Sequence, residues 1–101
     1  MRTRDKRYSD YGITEEDRDF LLALCRVDEP ELQELLQQSC AESNPAIAGT
    51  LYLNLSRAKS YDQLEGIPYA QTDFYAYRKK ALAIFRDKYI SWLGSGRNDG
   101  Q

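Results

Sequence analysis

Apolar residues recur along this chain at intervals of three and four, the period of a helix face, while runs that alternate every second residue are short and few. This spacing predicts about five helices. Thr14, ahead of Glu15, Glu16 and Asp17, supplies an N-cap hydroxyl and the acidic first turn that exposed N–H groups favour. The helix it opens is expected to reach about Arg26 and to bury Phe20, Leu21 and Leu24. Pro30 suits the first turn of a second helix, where a missing N–H leaves no bond unmade, and Leu32, Leu35, Leu36 and Cys40 form its apolar stripe. Ser43-Asn44-Pro45 repeats that start, and Ile47, Ala48, Leu51, Leu55 and Ala58 continue as a third helix. Ser60 is placed to cap a short helix from Tyr61 to Glu65, stopped by Gly66. A long last helix from about Ala70 to Leu93 carries Phe74, Tyr77, Ala81, Leu82, Phe85, Tyr89 and Trp92 and ends at Gly94. The expected architecture is therefore all-α: one helical domain over residues 13–94, a basic arm over 1–12, and a polar tail over 95–101 read as disordered.

Composition removes whole classes of chemistry from this frame. The 101 residues include no histidine and two cysteines, so neither a Ser-His-Asp or Cys-His nucleophile nor an ordinary zinc site can be assembled. No cofactor, metal or enzymatic activity is expected. Cys25 and Cys40 each sit among apolar residues and read as buried reduced thiols, ahead of a disulfide or a reactive thiol. The longest apolar run, Phe20 to Cys25, is six residues against the roughly 20 that a bilayer span needs. Residues Met1 to Tyr8 make a charged start, but Ser9-Asp10-Tyr11-Gly12 follows in place of an apolar stretch, so a secretory leader is not read and a cytoplasmic location is expected.

Charge is far less even than the net value of −2 suggests. Residues 9–43 hold ten acids against Arg18 and Arg26, a sum of −8, whereas residues 1–8 and 66–101 each sum to +3. An acidic helix surface is usually a solvated one, and otherwise a docking surface or an imitation of nucleic acid. Glu29, Glu31 and Glu34 are the candidate protein-docking acids.

The basic C-terminal segment carries the other candidate chemistry. A short helix, the Gly66-Ile67-Pro68 break and a basic second helix over residues 60–93 follow the layout of a helix-turn-helix, whose second helix enters the major groove by its N-terminal end. Phe74, Tyr77, Ala81 and Phe85 take the buried stripe, leaving Gln71, Thr72, Tyr75, Arg78, Lys79 and Lys80 to other faces. Gln and Arg reach base edges, whereas Lys, Thr and Tyr mostly bind phosphates. Arg2, Arg4, Lys6 and Arg7 would add phosphate or minor-groove contacts from the arm.

The run Phe74-Tyr-Ala-Tyr-Arg-Lys-Lys-Ala-Leu82 resembles the recognition-helix segment of phage late-gene activators of the RinA/ArpU type, themselves similar to the fourth region of bacterial sigma factors. Phe74, the Arg78-Lys79-Lys80 cluster and Ala81 occupy the family's positions, and Tyr61-Asp-Gln-Leu64 stands where its preceding helix lies. The resemblance covers about a third of the chain. It departs at the turn, where glycine is at 66 and Pro68 takes the expected glycine position, and at Ala70, which offers no cap hydroxyl. The resemblance implies a small transcriptional regulator of bacterial or phage origin that binds duplex DNA, with the first three helices buttressing the reader or forming a homodimer. The alternative is a non-enzymatic inhibitor or adaptor of mobile-element origin whose acidic half docks on a basic protein partner.

Overall fold

In the computed structural model, described here over residues 6–95, four α-helices follow one another: α1 (Glu15–Leu24), α2 (Pro30–Ser43), α3 (Ala48–Arg57) and α4 (Gln71–Gly94). Single 3₁₀ turns lie at Tyr8–Tyr11, Pro45–Ile47 and Tyr61–Gln63, and no strand occurs among the described residues. The all-α expectation holds. The tail from residue 96, and Arg2 and Arg4 of the arm, lie outside the described residues.

Helix starts are where the local sequence says they should be. Thr14 Oγ1 accepts from the Asp17 N–H at 3.1 Å while Asp17 Oδ2 accepts from the Thr14 N–H at 3.2 Å, a reciprocal box that satisfies two orphan donors of α1. Pro30 opens α2 at its first position. Asn44 Oδ1 accepts from the Ala46 N–H at 3.0 Å to start the turn that leads into α3. The end of α3 is less expected: Ala58, assigned by spacing to the apolar stripe, is exposed and takes a left-handed φ of 58°. A side chain there costs about 1 kcal/mol relative to glycine, and Asn54 holds the turn by donating from Nδ2 to the Lys59 carbonyl at 2.7 Å.

α4 is the spine. Phe74, Ala81, Leu82 and Phe85 lose all solvent contact, and Ala76 and Ala83 are buried on an adjoining line, so its first half is covered on more than one side. Its most extensive partner is α2, with α3 packed on both and α1 resting chiefly on α4. Leu36 and Cys40 from α2 and Leu51 and Leu55 from α3 complete one core with Ile13, Leu21 and Cys25. Polar ties reinforce it: Ser43 donates to the Tyr77 carbonyl at 2.7 Å, and Gln33 donates to the carbonyls of Cys25 and Val27, closing the α1–α2 link.

Two expectations are corrected. Phe20 is 53% exposed and Leu24 only half-buried, because α1 lies at the periphery and it is the Leu21–Cys25 line that enters the core. The helix expected over Tyr61–Glu65 is a single 3₁₀ turn within an otherwise extended connection from 58 to 70. Its Ser60–Gln63 box forms, with the Ser60 N–H donating to Gln63 Oε1 at 2.9 Å. However, Asp62, Gln63 and Glu65 face solvent, and two half-buried side chains, Tyr61 and Leu64, do not offset the cost of nucleating a helix.

Both cysteines are free and buried, and burial pushes each thiol up from 9.0 to about 12. At Cys25 burial is reinforced by Cys40 and opposed by Arg26 and Arg78. Since the thiolate is the nucleophile, the native protein at pH 8 is expected to leave both cysteines unalkylated over a time in which the denatured chain reacts fully. The unfolded thiols ionise first as pH rises, so stability should be undiminished below pH 9 and fall between 9 and about 12, as read by denaturant midpoints across that range. Leu51→Ala, Phe74→Ala and Phe85→Ala should each cost roughly 2–5 kcal/mol in denaturant unfolding, the range for emptying a packed site. Wild-type midpoints for all three would contradict this core.

Candidate interaction surfaces

The residues singled out for DNA contact divide by where α4 carries them. Gln71 and Thr72 are exposed on its first turn, which has no side-chain cap. Tyr75, Arg78, Lys79 and Lys80 are each only partly exposed, because the connection 58–70 and the N-terminal segment pack along this half of the helix. The Tyr75 hydroxyl accepts from the Tyr61 N–H at 3.4 Å, and its ring meets Phe74 edge-on at 5.4 Å between centroids.

Arg78 faces the interior of the molecule. Its guanidinium carbon lies 4.7 Å from the centre of the Tyr75 ring, and Nη1 donates to Asn54 Oδ1 at 3.3 Å. Its Nε is buried without a hydrogen-bond partner. Four residues after Phe74, the side chain leaves α4 on the side of the core, and its long stem lies along apolar surface. A base-reading arginine needs its fork in the groove; here Nη1 is engaged by Asn54 of α3 and the guanidinium lies against Tyr75.

Lys79 is engaged differently. Nζ donates to the Lys6 carbonyl at 2.9 Å and lies 5.2 Å from the Tyr8 ring centre. The other face of this contact is also cationic, with the Arg18 guanidinium 5.9 Å from Tyr8 and Lys6 Nζ 5.1 Å from the Tyr11 ring. Arg86, two turns beyond Lys79, donates from Nη1 to the Tyr11 carbonyl. Residues 6–12 are thereby clasped onto α4 instead of reaching away, and Arg7 turns its own N–H to Asp10 at 2.7 Å. Gly12 closes the segment with a φ of 74°, which a side chain rarely adopts. The sequence signal for this clasp is Tyr8 and Tyr11 interleaved with Lys6 and Arg7, a pattern as suited to cation–π packing as to phosphate binding.

The acidic candidates also separate. Glu29 is half-buried at the start of α2, while Glu31 and Glu34 are exposed. Glu31 Oε1 accepts from the Trp92 indole at 2.7 Å, and Glu42 pairs with Lys88 at 2.7 Å, so α2 holds the end of α4 through carboxylates. Around α1 the exposed acids are Glu15, Glu16, Asp17 and Asp19, with Asp19 paired to Arg18 at 3.2 Å.

Spacing alone did not single out the surface where α1 meets the last turns of α4. Phe20, Ile90 and Leu93 are 53%, 58% and 45% exposed. Phe20 lies 6.0 Å from Tyr89, and Tyr89 lies 6.0 Å from Trp92, centroid to centroid. Asp17, Phe20, Leu21, Arg86, Tyr89 and Ile90 line a groove of about 270 Å³ there. Among the described residues no three His, Cys, Asp or Glu side chains converge to hold a metal, and no helix is long and apolar enough to cross a membrane.

Arg78→Ala should destabilise by about 1–3 kcal/mol, since it strands Asn54 and removes buried stem, whereas Lys80→Ala should stay within about 0.5 kcal/mol. Denaturant midpoints check both; equal, negligible effects would contradict the inward placement of Arg78. Compared with family models, curated proteins and solved structures, the chain matches none.

Proposed function

We infer that the chain is a small, non-enzymatic helical module that acts by docking on a basic protein partner through its acidic N-terminal half, as an inhibitor or adaptor. The observation that carries this reading is the fate of the two cations central to the DNA alternative. Arg78 is committed to Asn54 and Tyr75, and Lys79 to the Lys6 carbonyl and Tyr8. A phosphate contact would have to compete with those partners. The acids of α1 and the first turns of α2, by contrast, stand largely in solvent, where they raise the encounter rate with a positively charged surface.

A DNA-binding regulator is the second reading, favoured by Gln71 and Thr72 exposed on an uncapped first turn, with Lys80 partly exposed two turns on. The likeness of residues 74–82 to phage activators belongs to this reading. The two separate in a gel shift with mixed-sequence duplex DNA at about 50 mM salt and micromolar protein, conditions under which non-specific affinity is visible for a DNA binder. The docking reading expects no retardation. Retardation that Lys80→Ala weakens and added salt abolishes would overturn it in favour of the regulator.

A further inference from the structure

The groove between α1 and the end of α4 combines three features that rarely coincide on a solvated surface. Phe20 and Ile90 are large apolar side chains, each about half exposed, that line one depression, and Leu93, three residues beyond Ile90, is also exposed. Its lining includes the aromatic pair Phe20 and Tyr89, and Tyr89 in turn neighbours Trp92, whose indole donates to Glu31. Its rim is acidic. Asp17 lines it, Glu16 lies one helical turn before Phe20, and Asp87 lies three residues before Ile90. The cation among the lining residues, Arg86, is already held by Asp87 Oδ1 at 3.1 Å and by the Tyr11 carbonyl.

We propose that this groove receives an apolar anchor side chain from a basic amphipathic helix of a partner protein, with flanking Lys or Arg meeting the Asp17, Glu16 and Asp87 rim. The proposal rests on the protein-docking reading above and names its site and the chemistry of its partner. The groove runs between two helices and has room for a large side chain at Phe20 and Ile90, the geometry in which an amphipathic helix lays its apolar face. A second copy of this chain fits poorly, since a two-fold contact centred on Phe20 would set the Glu16–Asp17 rim against itself. Residues Gly96 to Gln101 hold no apolar side chain that could fill it.

The test is a nitrogen–proton correlation NMR titration of the full chain with two synthetic helical peptides of about 18 residues, long enough to span roughly 27 Å. Both carry the same Leu/Phe stripe, one with Lys at the polar positions and the other with Glu. The Lys peptide is expected to shift resonances of residues 16–24 and 86–93 and the Glu peptide to leave them unchanged. Phe20→Ser and Ile90→Ser, both at exposed positions and expected to melt like the wild type, should each weaken the Lys peptide about tenfold. Binding of the Lys peptide that maps instead to Glu29 and Glu34 and is indifferent to both substitutions would overturn the groove while leaving the docking reading intact. Equal binding of the two peptides, or of neither, would overturn it as well. So would a dimer in sedimentation that Phe20→Ser dissolves, which would assign the groove to a second copy. Failure of the docking reading itself is reported separately, by retardation of duplex DNA.

Discussion

The first half of α4 must be hidden on more than one side, and most of the molecule follows from that requirement. Phe74, Ala81, Leu82 and Phe85 face α2 and α3, and Ala76 and Ala83 lie on a neighbouring line. A helix with so broad a buried surface needs cover beyond two partners. The connection 58–70 and the segment 6–12 provide it, through Tyr61, Leu64, Ile67 and Tyr69 on one side and Tyr8 and Tyr11 on the other. These pieces are not regular helix, so their own hydrogen-bonding groups need partners: Tyr61 donates its hydroxyl to the Tyr69 carbonyl, and the Lys6 and Tyr11 carbonyls accept from Lys79 and Arg86. The basic residues of α4 thus satisfy the backbone of the segments that cover it.

That use of positive charge decides what remains outside. With Arg78 turned to Asn54 of α3 and Lys79 to the segment 6–12, the surface with most unspent character lies at the other end of the helix, where α1 packs on α4. A peripheral helix buries one narrow stripe, and much of the rest of its apolar content is left in solvent; Phe20 is the result. The groove beside it is lined by Ile90 from the last turns of α4. The acidic side chains Asp17 and Glu16 of α1 lie beside that exposed apolar surface.

What the sequence disclosed was local. Thr14 with Asp17, Pro30, and Asn44 ahead of Pro45 each act within one turn of themselves, and the structure places a helix or turn start at every one. Burial of Leu36, Leu51, Leu55 and Phe85 was equally legible, because those helices have neighbours on the side their stripes select. The misreadings concern properties set by other parts of the chain. Phe20 fits the stripe of α1, yet no element arrives to cover it. Ser60 and Gln63 form their box without a helix behind it. Arg78 and Lys79 read as solvent-facing cations because their partners, Asn54, Tyr75, Tyr8 and the Lys6 carbonyl, lie as far as 73 residues away in sequence.

The central claim is that the Arg78 guanidinium is a structural group, withheld from any ligand by burial. The most direct test is the solvent-exchange rate of its Nε proton, followed by NMR beside that of Arg57, which is exposed on α3. With Nε buried and Nη1 engaged by Asn54, the account predicts a resolved Arg78 signal that exchanges far more slowly than that of Arg57. Exchange at the same rate in both would mean that the fork stands in solvent, and would contradict the packing on which the whole assignment of surfaces depends.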